Sequence, residues 1–220
     1  MDEFETQKYI EQEFKKALYK LEDNDFATAE SIFENIALTY DNATAWAYIG
    51  AIKMGQVSAG TTTVDQALKC FHRAVALDPS SKSDYQKSWI ALSMGQLEAL
   101  RDSWFDTYKH KKDARHAQIW NGALMGLSIG LGNQKTKGNN VFRGVAGVAG
   151  AGYAASGIVK NTTNARSAKE ALRIIEETMR QVLRGAKQFC SDDDALYKPF
   201  LEKVYNFRFA NRVLSAVNEN

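Results

Sequence analysis

Residues 46–79 read WAYIGAIKMGQVSAGTTTVDQALKCFHRAVALDP, and this stretch decides the fold class. It opens as Trp46-x2-Ile49-Gly50, crosses a polar interval containing Gly and Thr, and resumes as Ala67-x3-Phe71-x2-Ala74 before Leu77-Asp78-Pro79. Apolar positions three and four apart on both sides of the interval are those of two amphipathic helices; strand side chains would alternate instead. Gly50, Ala67 and Ala74 are small where the two helices face each other, so their backbones can approach closely. Trp46 and Phe71 supply the bulk that fills the space beside that contact. Thr63-x-x-Gln66 has the form of a capping box opening the second helix. Pro79 ends it, because proline has no N–H to donate and pushes the preceding residue out of the helical region.

This order and spacing resembles the tetratricopeptide repeat, W-x2-L-G-x2-Y…A-x3-F…P. A more degenerate copy precedes it: Phe14, Ala17, Leu18 and Leu21 mark one helical face, followed by Phe26, Ala29-x3-Phe33 and Ile36, with Asp41 in the place of the proline. A third copy opens at Trp89-x2-Leu92-Ser93 but loses the A-x3-F spacing over residues 100–108. The resemblance thus covers about residues 12–108. It implies stacked helical hairpins that bind a peptide or partner helix on a concave face made by the first helix of each pair. The best-known use of such a face clamps a terminal carboxylate with Lys, Asn and Arg. Here the inward positions are Ala47, Ala51 and Met54, which cannot donate side-chain hydrogen bonds, so an apolar groove for a helix or hydrophobic peptide is expected. From Trp46 to Ala67 is 21 residues, against about 16 in the family pattern. The surplus falls in GQVSAGTTT, residues 55–63, which lacks the lysine of a phosphate-binding loop.

Beyond residue 108 the chain changes character. Residues 1–107 carry 10 Lys/Arg against 17 Asp/Glu, whereas residues 108–220 carry 18 against 9. Two oppositely charged halves suggest two surfaces with different tasks, or halves that attract each other. Ten of the 15 glycines lie between residues 119 and 160. Gly122, Gly126 and Gly130 recur every fourth residue, as do Ala146, Gly150 and Ala154. On a helix this spacing lines up a strip of small residues that permits very close backbone packing. Residues 119–132 and 144–159 are both shorter than the roughly 20 residues a membrane-spanning helix needs. Lys109, Lys111, Lys112, Arg115, Lys135, Lys137 and Arg143 border them, the kind of flank that anionic lipid headgroups attract. Two expectations therefore stay open for residues 109–160. One is a glycine-zipper hairpin for close packing or homo-oligomer formation. The other is contact with an anionic membrane surface.

Two long helices are expected in residues 161–220. Ser167-x-x-Glu170 reads as a capping box for a helix running to about Phe189. Ala168, Ala171, Leu172, Ile175, Met179, Val182, Ala186 and Phe189 form its apolar face, and Arg173, Arg180, Arg184 and Lys187 a basic one. Ser191–Asp194 then caps a final helix made unusually aromatic by Tyr197, Phe200, Leu201, Val204, Tyr205, Phe207, Phe209 and Val213, expected to pack on a neighbour as a terminal cap or, if exposed, to be a partner surface.

No catalytic constellation emerges. His110 and His116 are six apart, unsuited to sharing one helical face, and GxSxG, HExxH and CxxC are missing. Gly150-x-Gly152 follows no strand, which argues against a dinucleotide site. Cys70 and Cys190 read as reduced core thiols, which favours a reducing compartment. The N-terminal MDEFETQKYIEQEF has no apolar core of a secretory signal. The expectation is an all-α protein: tetratricopeptide-like helical hairpins over 1–108, a glycine-rich hairpin over 109–160 and a C-terminal helical pair over 161–220. It would be a cytoplasmic, non-catalytic adaptor or scaffold without cofactor, metal or nucleic-acid ligand. The alternative is a protein peripheral to a membrane, meeting lipid through the glycine-rich hairpin while the hairpins of the first half recruit a partner.

Overall fold

The computed structural model describes residues 3–109 and 165–207. It is all-α, with no strand among the described residues. The helices are α1 (Glu3–Glu22), α2 (Phe26–Tyr40), α3 (Ala43–Gln56), α4 (Val64–Leu77), α5 (Lys82–Lys109), α6 (Ala165–Cys190) and α7 (Asp194–Tyr205). Short 3-10 turns at Val57–Ala59 and Pro79–Ser81 follow α3 and α4.

Local chemistry sets most of the boundaries. Asp25 caps α2 by accepting from the Thr28 backbone N–H, and Asn42 caps α3 by accepting from the Ala45 N–H at 2.9 Å. Thr63 and Gln66 form the expected reciprocal capping box at the start of α4. Asp41 ends α2 in the left-handed region at φ 45°, the job the sequence pattern assigns elsewhere to a proline. Helix α4 stops at Leu77, and Pro79 then takes the first position of the next 3-10 turn. Helix α6 begins at Ala165, two residues before the expected capping serine, and runs to Cys190.

The helices pair as antiparallel hairpins. In α1–α2, Phe14 meets Phe33 edge-on at 5.3 Å between ring centroids, and Tyr9 lies 6.2 Å from Tyr40. In α3–α4, Gly50 faces Phe71 and Ala67. The third pair departs from expectation. Residues 100–108 do not turn back as a second helix, because α5 continues without a break to Lys109. Its antiparallel partner is α6. The boundary expected at residue 161 therefore does not separate two cores. Ile175, Met179, Val182 and Leu183 of α6 belong to the same buried cluster as Phe33, Tyr48, Phe71 and Trp89. Helix α7 packs against α5 and α6 with Tyr197, Phe200 and Val204 buried and Tyr205 exposed. This is the packing on a neighbour that its aromatic composition suggested. The glycine-rich hairpin expected over 109–160 lies outside the described residues, except that Lys109 is the last residue of α5.

Candidate interaction surface

The packing residues of the 46–79 stretch lie where their sizes predict. A Cβ built on Gly50 would stand 2.6 Å from Phe71 Cδ2 and 3.0 Å from the Ala67 carbonyl oxygen, so no larger residue fits without movement of α4. Ala67, Phe71 and Ala74 are fully buried, and Trp46 is half-buried against the same core. Phe71 also touches Trp89 of α5 edge-on at 5.2 Å and Phe189 of α6 at 5.9 Å. A single ring thus joins the second hairpin to the third.

The expected peptide groove is not open. Ala47, Ala51 and Met54 are each 0% exposed. No residue of α3 is exposed, since the helix is packed between α2, α4 and α5. A helix apolar on nearly every side is a core helix, and neighbours claim the face that would otherwise receive a ligand. These three side chains fill the core and leave nothing for a peptide to contact.

Surface chemistry differs between the two ends of the fold. Residues 3–41, covering α1 and α2, hold four lysines against ten carboxylates. Phe4, Tyr19 and Leu38 stand 78%, 66% and 70% exposed on this hairpin. On α6 the basic face is answered by acids of its own helix. Arg173 binds Glu170, Arg180 reaches Glu176 and Glu177, and Arg184 reaches Glu177 at 3.4 Å. That face is a neutralised, solvated ladder rather than a free anion site. Inside the fold, Lys53 of α3 pairs with Glu30 of α2, both mostly buried, fastening the first hairpin to the second.

Two elements that local patterns did not expose hold α6 in place. Gln86, buried near the start of α5, donates through Nε2 to the Phe189 carbonyl and to Asp192, both at 2.7 Å. Trp104, near the other end of α5, donates to Glu176 at 3.0 Å. Lys82 pairs with the same Asp192, and this hydrogen bond, with that from Gln86, holds the carboxyl below the usual range.

Neither cysteine is poised for chemistry. Burial pushes the Cys70 thiol up to about 11 and the Cys190 thiol up to about 12, so both are protonated at neutral pH. Cys190 donates to the Gln86 carbonyl and Cys70 to that of Gln66, as core thiols do. Among the described residues no group of three or more His, Cys, Asp and Glu could hold a metal ion. No helix among them is long and apolar enough to cross a membrane. The glycine-zipper positions Gly122, Gly126, Gly130, Ala146, Gly150 and Ala154 fall outside the described residues. So do Lys111, Lys112, Arg115, Lys135, Lys137 and Arg143, and the Lys109 side chain is not described. Comparison with protein-family models, curated proteins and solved structures finds no match.

Proposed function

We propose that this chain is a non-catalytic adaptor that binds another protein through the surface of its helical hairpins. The observation that carries this reading is the α3–α4 hairpin, where Gly50 receives Phe71 and Ala67 at contact distance. That is the packing which the tetratricopeptide-like pattern of residues 46–79 calls for, and arrays with that pattern present helices to partner proteins. Because Ala47, Ala51 and Met54 are enclosed, the partner is assigned to the outer surface of α1–α2 instead. There Phe4, Tyr19 and Leu38 lie exposed among an excess of carboxylates. A partner with apolar anchors set in a basic surround matches both features.

The test is affinity capture from the native host with the full chain and with a Phe4→Ser, Tyr19→Ser, Leu38→Ser variant, each checked for helicity by circular dichroism. Loss of specific captured proteins with the fold retained is the expected result. A partner set that is unchanged by the triple substitution would sink this assignment of the surface. Flotation with phosphatidylserine vesicles, run in parallel, addresses the alternative that residues 109–160 bring the chain to a membrane. Lipid binding by the full chain without any captured protein would replace the adaptor reading with that one.

A further inference from the structure

We draw no further inference here: the strongest candidate, the outer surface of the α1–α2 hairpin on which Phe4, Tyr19 and Leu38 stand exposed, belongs to the site already described, and nothing in the structure shows what covers it.

Discussion

The α3–α4 and α5–α6 hairpins share one antiparallel geometry and are closed by different means. Helix α3 ends at Gln56 and α4 begins at Val64, and the turn between them is held by its own residues. Thr62 donates to the Lys53 carbonyl at 2.6 Å, Thr61 to the Gln56 carbonyl, and Thr63 and Gln66 cap α4. Helix α5 ends at Lys109 and α6 begins at Ala165, so 55 residues separate the two. Hydrogen bonds of Gln86 and Trp104 instead join α5 directly to α6 and the residues just after it. A hairpin needs a short turn only when its faces do not otherwise specify each other.

The largest expected effect tests whether the two hairpins are one cooperative unit. Trp89 is fully buried and touches both Phe71 and Phe189. Trp89→Ala should cost about 3–5 kcal/mol in urea denaturation. Circular dichroism and fluorescence should still report one coincident transition, and two separated transitions would mean that α5–α6–α7 folds apart from α1–α4. Next in size is Gln86→Ala, which leaves the Phe189 carbonyl without its buried donor and should cost about 2 kcal/mol. A change under a few tenths would show that the long hairpin is held by apolar packing alone.

Gly50→Ala sharpens the contrast in backbone approach. The new methyl would press on the Phe71 ring and the Ala67 backbone oxygen, which predicts a loss of about 1–2 kcal/mol. At Gly185 of α6 the nearest atoms are the Val64 side chain at 2.7 Å and Trp89 at 3.1 Å. Alanine's advantage over glycine in a helix, about 1 kcal/mol, acts at both sites, but Gly185 meets only side chains where Gly50 also meets a backbone oxygen, so Gly185→Ala should be the milder. Equal losses in thermal melts would remove the distinction. Thr63→Ala, which deletes the local cap of α4, should cost about 1 kcal/mol and leave the α5–α6 contacts intact.

The smallest effect is in acid. The Lys82 hydrogen bond, and after it the Gln86 bond, hold the Asp192 carboxyl below its ordinary value of 3.8. A depressed folded value means that the contribution of this carboxylate is complete above 3.8 and is lost as the pH falls through the lower folded value. Melting temperatures of wild type and Asp192→Asn should therefore differ by a constant amount from pH 5 to 7 and converge below about pH 4. A difference that persists unchanged into strong acid would place the effect of Asp192 outside its ionisation.

Local features were legible from residues alone, because short-range chemistry produces them. The capping box at Thr63 and Gln66, the seat of Phe71 against Gly50, the apolar face of α6 and the packing of α7 on its neighbours are readable from spacing and side-chain size. Two expectations failed for one shared reason. Residues 100–108 were expected to belong to a returning helix, yet α5 runs through them. Nothing there breaks a helix, and the true partner lies beyond residue 164. Ala47, Ala51 and Met54 were expected to line a groove, yet neighbouring helices bury them. Periodicity says that a face is apolar, and leaves open whether protein or ligand covers it.

By itself, then, the sequence determined the all-α class, the places where most helices start and stop, and the small-residue contact that closes α3 on α4. These follow from hydrogen-bond capping, the helical period and side-chain volume, all of which act over a few residues. Only the tertiary structure decided that α6 pairs with α5 across a 55-residue interval, that no residue of α3 is exposed, and that Gln86 bonds the start of α5 to the end of α6. Those outcomes depend on which apolar face meets which, and that choice is made by the summed burial of the whole core rather than by any local stretch of chain.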